Sequence, residues 1–391
     1  MPAVLDVGIV GAGPVGLCMA ALLLRRGLDV AVFEKRAGPG TQTRAIGIHP
    51  PALAVLESIG AAAPLIGSGV RITSGTAYSA GRKVGSLDFG LPGAAYPFIL
   101  SVPQTRTLEV LEECVAASGS GALHRGVEVL DAVPDNGGLL LRGRRADGAG
   151  PAEPFEARCR FLIAADGAHS GLRAALGITP TVRSYPDHYL MGDFHDGTPY
   201  GSEAVLFLEP PGIVECFPLP GGIRRWVVRT GPPGGEPSAP LLAALIRERT
   251  AAVVEPSSNS MLSAFGVRSR LVTEMVHGRT VLLGDAAHEL SPIGGQGMNL
   301  GWLDASALAP LLERMVRADR GRPDPALGGE LADLERSRLR AARKASRQAG
   351  INMALGRPLP PTALALRNAV VGRAVRWPAV AGFVARRFTM H

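Results

Sequence analysis

Residues Gly11–Gly16 read GAGPVG and lie between a short apolar segment, Leu5–Val10, and an apolar run that continues to Arg26. Three glycines at this spacing leave the chain few alternatives. Gly11 and Gly13 allow a tight turn in which backbone N–H groups can approach a diphosphate, and Gly16 lets a helix pack closely on the preceding strand. Gly27 ends that helix, and Asp29–Phe33 reads as a second strand finishing at Glu34. The result is a βαβ unit whose helix N-terminus, with its free N–H groups, favours an anion. Glu34 stands eighteen residues beyond Gly16, placed to accept a hydrogen bond from a ribose hydroxyl and to repel a 2′-phosphate. The site therefore suits FAD or NAD better than NADP. Pro14, Val15 and Lys35 complete the cofactor-binding residues expected at this end of the chain.

Two further segments place an aspartate where an apolar strand ends. In ADGAHSGLR (Ala165–Arg173), Asp166 and Gly167 close a strand over Phe155–Ala165, where a chain can bend toward a ligand at a sheet's carboxyl edge. A plain strand-to-helix turn with Ser170 as its N-cap is an equally good reading of that segment alone. In GDAAHELSPIGGQGMNLG (Gly284–Gly301), a short strand ends in Gly284-Asp285, then Pro292 and a glycine-rich turn lead into a helix near Met298. Asp285 is placed to bond sugar or ribityl hydroxyls. The backbone N–H groups of Gly297, Met298 and Asn299 can face an anionic or electron-rich ring.

A chain of 391 residues suits two packed domains, and 46% hydrophobic against 19% charged residues describes a globular protein. Helices are expected near Pro51–Ile59, Gln104–Ser118 and Leu241–Ala252. Strand patterns at His188–Phe194, Ala204–Leu208, Ile213–Phe217 and Arg224–Val228, separated by Gly/Pro turns, predict an antiparallel sheet in the second domain. Everything beyond residue 298 reads as helix. The expected fold is α/β, and the resemblance of its motifs to a flavoprotein family implies a GR2-like Rossmann-type FAD-binding domain (1–70, 98–178 and 275–391, with the C-terminal helices) and an inserted antiparallel-sheet substrate domain (71–97 and 179–274).

The formal charge of +7 is uneven: residues 311–391 carry 16 Lys/Arg and 6 Asp/Glu, leaving −3 for the rest. No nucleic-acid partner is expected from so neutral a body, and packing of the Arg-rich helices on the body is favoured over membrane contact. No apolar stretch is long enough to span a bilayer, and four scattered cysteines suit a cytoplasmic setting. His188 and His195 of HYLMGDFHD are seven positions apart and face opposite sides of a strand, so no metal is expected there. His49 and His288 read as hydrogen-bonding supports before catalytic bases. No catalytic acid or base can be assigned.

Taken together, the three motifs resemble the class A flavoprotein monooxygenases, the para-hydroxybenzoate hydroxylase-like family, whose GxGxxG, DGxxSxxR and GDAAHxxxPxxGQGxN segments occur in this order. TRAIGIHPPALAVLESIG (Thr43–Gly60) and PQTRT (Pro103–Thr107) also resemble family segments, although Leu108 stands where many relatives have Glu. The resemblance implies that Gly11, Gly13 and Gly16 hold the pyrophosphate and Glu34 the adenosine ribose. It implies that Arg44 and Gln104 contact FAD, that Asp166 serves FAD and NAD(P)H, and that Asp285 binds the ribityl or pyrophosphate region. Pro292 and the Gly297–Asn299 backbone would lie beside the isoalloxazine ring. A thioredoxin-like C-terminal domain, which larger relatives append, is not expected at this length.

The implied reaction uses NADPH or NADH and O2 to hydroxylate or epoxidise a small aromatic or polyketide-like substrate through a C4a-hydroperoxyflavin, in a monomer or homodimer. Pocket residues are expected from Ile72–Phe98 and the inward face of the strands between His188 and Val228. The alternative is an FAD-dependent reductase or oxidase without oxygen insertion. The nearest stretch to a prenyl-reductase motif, IVECFPLP, lacks its aromatics, and the halogenase WxWxIP motif does not occur.

Overall fold

The computed structural model describes residues 4–40, 45–90, 93–119, 121–146, 152–232, 236–321 and 324–390. A first sheet has the strand order Val276–His277, Thr280–Leu282, Glu153–Ala164, Leu5–Val10, Val30–Glu34, Leu123–Arg125. From Thr280–Leu282 to Leu123–Arg125 the neighbours run parallel. Within them the segments Val7–Val10, Val30–Phe33, Phe161–Ala164 and Val281–Leu282 are short apolar runs because both faces are covered. On one face Val7, Ile9 and Ile163 pack against Leu17 and Leu23 of the helix Pro14–Leu24 and against Trp302, Leu308 and Leu312 of the helix Gln296–Arg320. On the other, Phe33, Leu162 and Leu282 pack with Val127 and Leu141, from the antiparallel strands Val127–Asp135 and Gly138–Arg145.

Register decides what this sheet can do. Val10 pairs with both Ala164 and Phe33, and Ala164 pairs with Leu282. Parallel strands ending level with one another deliver the chain at a single edge. The GAGPVG turn and the two aspartate-bearing segments, about 120 to 155 residues apart in sequence, therefore emerge side by side.

The second sheet runs His288–Glu289, Met261–Leu271, Thr181–His195, Ile223–Thr230, Val214–Leu219, Ala204–Phe207, Ser74–Ser79, Arg82–Asp88. It is antiparallel except where Ala204–Phe207 lies parallel to Ser74–Ser79. Thr280–Leu282 belongs to the first sheet and His288–Glu289 to the second, so Gly284–Ala287 crosses between them. Leu242 and Ile246 of the helix Ala239–Thr250 cover Phe194, Val214, Trp226 and Val228 on one face. The opposite face, with Tyr189, Met191 and Val227, meets Ile293 and Met353.

The structure lengthens the first of these expected strands most and shifts helix starts by up to two residues. The His188–Phe194 strand extends back to Thr181, with a register shift between Ser184 and His188. Pro186 lies inside that shift, and a residue without an N–H cannot continue the ladder. The helix expected near Met298 begins at Gln296, after Gly295 adopts φ +64°. Past it come the helices Ala326–Leu355, Pro361–Ala374 and Pro378–Phe388. Among the described residues, no helix is long and apolar enough to cross a membrane.

Candidate active site

At the first strand's end Gly11 has φ +106°, and a Cβ there would lie 2.4 Å from the Ala165 carbonyl oxygen. A Cβ on Gly16 would lie 2.0 Å from the Gly11 carbonyl oxygen. Both glycines are demanded by close approach. Gly13 differs: no atom lies within 4 Å of where its Cβ would stand. It caps the helix Pro14–Leu24 without any side-chain hydrogen bond, so no cap satisfies the first-turn N–H groups.

Glu34 is buried, and its Oε2 accepts the Ala12 N–H at 2.8 Å. Its Oε1 accepts the Arg36 N–H at 3.0 Å and the Arg36 Nε at 2.8 Å. Burial alone would push this carboxyl up, but the bonds from Arg36 and Ala12 outweigh it and hold the group below its ordinary value. Arg36 was invisible as a partner in the sequence. Lys35 is exposed beside it.

Asp166 accepts the Leu172 N–H on Oδ2 at 3.2 Å, while its buried Oδ1 has no protein partner. Ser170 caps the short helix Gly171–Ala175 through the Arg173 N–H at 2.9 Å, so the capping reading and the ligand reading hold for different residues of one motif. The Arg173 guanidinium donates to the carbonyls of Ala286 at 2.8 Å and Ala168 at 3.0 Å, tying the second motif to the third. Asp285 sits in a single turn, Gly284–Ala286, with its side chain open to solvent although protein crowds it from behind. That crowding pushes its carboxyl up to about 6, His288 pulling down and Glu289 pushing up by less. Val15 packs 3.2 Å from where a Gly284 Cβ would stand, so the first and third motifs touch.

Asn299 is fully buried and its amide is committed to protein. Oδ1 accepts the His49 N–H at 2.8 Å, and Nδ2 donates to Gly47 O at 2.9 Å and Gly295 O at 2.7 Å. The side chain thus holds the glycine turn against the 47–49 segment, leaving only the helix N-terminal backbone to face a ligand. Gly295 caps that helix without a side-chain bond. Gly297 and Met298 are half-buried in its first turn, and Pro292 is exposed at the rim. Gln104 accepts the Ala45 N–H at 3.4 Å; Arg44 lies outside the described residues. His288 is fully buried, its Nε2 bonded to Asp304, whose other oxygen accepts Arg338 Nε at 2.5 Å. Burial opposes protonation of His288, but Asp304 more than compensates and raises its pKa. This arrangement is that of a support.

A dinucleotide flavin fits the features of this edge: an open cradle at Gly13, two helix N-termini without caps, and an orphaned carboxylate oxygen on Asp166. The sequence profile of the FAD binding domain matches residues 4–344. The chain belongs to the FAD binding domain family. Within it, 6-methylpretetramide 4-monooxygenase of Streptomyces rimosus is 35% identical over 80% of this chain and 56% of its own length. The chain spans 56% and 61% of the two first curated relatives. The solved p-nitrophenol 4-monooxygenase of Pseudomonas putida shares the fold, with a TM-score of 0.87 at 24% identity over 99% of this chain and 98% of that one. The anhydrotetracycline hydroxylase structure from Streptomyces rimosus has a TM-score of 0.80 at 26% identity, over 99% and 76%. In this FAD-binding family member, the sheet face that meets Ile293 carries one carboxyl that sequence reading missed. Glu215 stands opposite Val227 and Leu206 in an otherwise apolar patch. Its only signal is a lone acid within the run IVECFPLP.

Proposed function

We propose that this chain is an FAD-dependent monooxygenase that uses NAD(P)H and O2 to hydroxylate or epoxidise a small aromatic or polyketide-like substrate. The observation that carries the reading is the convergence of the three motifs at one sheet edge, in a chain whose curated relative at 35% identity is named 6-methylpretetramide 4-monooxygenase. Gly11, Gly13, Gly16 and Glu34 would hold the adenosine diphosphate half, with Arg44, Gln104 and Asp166 along it. Asp285 would hold the ribityl or pyrophosphate region, and the N–H groups of Gly297–Asn299 would face the ring.

Bound FAD supplies the redox and oxygen-activating chemistry. The protein's own part is to bind, orient and keep water out. The apolar face with Met191 and Val227 supports substrate binding between the second sheet and the glycine turn, and hence residues 71–97 and 179–274 as the substrate-binding part. The four unpaired cysteines support a reducing, cytoplasmic setting.

The test is to purify the protein, release its flavin by acid, and supply phenolic or polycyclic aromatic compounds with NAD(P)H under isotopically labelled O2. One FAD per chain and one labelled oxygen in the product are expected. Turnover that proceeds equally well without O2 would move the protein to the reductase or oxidase class.

A further inference from the structure

Glu215 is 8% exposed, and its carboxyl makes no hydrogen bond or ion pair with any described residue. A lone buried acid is costly, and apolar side chains would serve this strand better if packing were its only task. Its surroundings are apolar on its own sheet. Val227 and Leu206 stand directly opposite it, Met191 stands opposite Val227, and Phe217 is the next residue on the same face. Ile293, from the glycine turn of the third motif, packs on this face. A second polar group there is equally unsatisfied: the Tyr189 hydroxyl is buried and has no partner. Burial raises Tyr189 most, and the Glu215 charge raises it further, which puts the two groups within electrostatic reach.

We propose that Glu215 and Tyr189 form the polar recognition point of the substrate pocket, where the Glu215 carboxylate binds a phenolic hydroxyl of a fused-ring substrate and takes its proton. This rests on the monooxygenase reading above. In the step, the phenol O–H bond breaks, a carboxyl O–H forms, and the electron pair stays on the phenolate oxygen. The site holds one negative charge before and after, so no new charge is buried. The ring becomes more electron-rich, as electrophilic oxygenation requires.

Burial pushes the Glu215 carboxyl up to about 7, close to the range in which activated phenols ionise. The charged groups on the same face are already paired. Asp193 holds Arg225 through two bonds of 2.7 Å, and Asp187 is shared by Arg229 and Arg357. Residues 291–295 of the facing turn add no titratable group.

The experiment uses the FAD-loaded full chain and two probes, 2-hydroxyanthraquinone and its methyl ether, titrated by absorbance. The parent protein is expected to bind the phenol about tenfold tighter than the ether, and the bound phenol to shift to its phenolate spectrum between about pH 6 and 8. E215Q should keep its FAD, bring the two affinities within about twofold, and lose the pH step. E215L should lose the same discrimination while raising Tm by a few degrees, because the unpaired acid is gone. Discrimination and a pH step that survive in E215Q would overturn the proposal, as would a parent protein that binds neither probe or both alike. Loss of labelled-oxygen incorporation with discrimination intact would sink the monooxygenase reading and leave only the recognition of the phenol by Glu215 standing.

Discussion

The indole N–H of Trp302 donates to the Pro14 carbonyl oxygen at 2.9 Å, joining residues 288 positions apart. Pro14 opens the helix of the first glycine motif, and Trp302 lies nearly two turns into the helix of the third. The bond ties together two helices whose N-termini carry no side-chain cap. A Cβ on Gly301 would stand 2.5 Å from Val15, so the same contact admits no side chain at that position.

Replacing Trp302 by Phe keeps most of the apolar bulk and deletes the donor. A lost hydrogen bond of this kind costs about 0.5–1.5 kcal/mol. Tm of the FAD-free protein should fall by a few degrees, and FAD affinity should weaken several-fold as the two helix ends lose their fixed spacing. Fluorescence titration of FAD against both proteins checks this; an unchanged dissociation constant would show that the bond does not set the site.

Gly13→Ala and Gly16→Ala should part company. The Gly16 Cβ meets backbone at 2.0 Å and must push the helix off the strand, so that variant should lose FAD and fold poorly. The Gly13 Cβ meets nothing, and its φ of −76° suits any residue. Gly13→Ala should unfold at the parent's Tm when FAD-free and yet bind FAD at least about tenfold more weakly, by occupying the phosphate cradle. Parallel thermal melts and FAD titrations separate the two effects.

Asp285→Ala should weaken FAD retention more than Asp166→Ala, because the exposed Asp285 carboxylate makes no hydrogen bond with any described residue while Asp166 spends one oxygen on the Leu172 N–H. Equal dissociation constants for the two variants and the parent would count against both assignments. The raised carboxyl of Asp285 also makes a pH prediction. The folded chain takes up a proton that the unfolded chain binds only near 3.8, so this group's contribution to stability falls as pH rises from there through about 6. Asp285→Asn should remove that part of the FAD-free protein's pH dependence, read as Tm against pH.

His288 titrates with the opposite sign of charge. Its raised pKa means that the stability from its pairing with Asp304 is complete below the unfolded value of 6.5 and is lost as pH rises through the folded one. His288→Gln should cost on the order of 3 kcal/mol at pH 6, because among the described residues Asp304 keeps only Arg338 as a partner in a buried site. The difference between variant and parent should shrink at alkaline pH. A constant difference in urea midpoint across that range would show that His288 does not carry the proton.

Much of the fold was readable because it is local. The GAGPVG turn, the helix after it and the strand ending in Glu34 depend on neighbours a few positions away, where glycine conformation and apolar runs act directly. The antiparallel strands between Thr181 and Thr230 announced themselves through alternation and turn residues. The strand that lengthened most runs past a Pro at a register shift, and the third-motif helix begins after a glycine in the left-handed conformation, effects that depend on backbone hydrogen bonds rather than on periodicity.

The site was readable as residue types and illegible as partnerships. Asp166, Asp285 and Asn299 could be picked out from spacing. That Asn299 spends its amide on Gly47, His49 and Gly295, that Arg36 neutralises Glu34, and that Arg173 fastens one motif to another could not. Glu215 is the sharpest case, since a single acid in an apolar strand looks the same whether it points at solvent or at a pocket. By itself the sequence determined the elements and the phosphate-binding chemistry of their ends, because those follow from short-range backbone geometry. Only the tertiary structure decided which groups were left without partners, because satisfaction of a buried polar atom depends on what distant strands and helices bring against it.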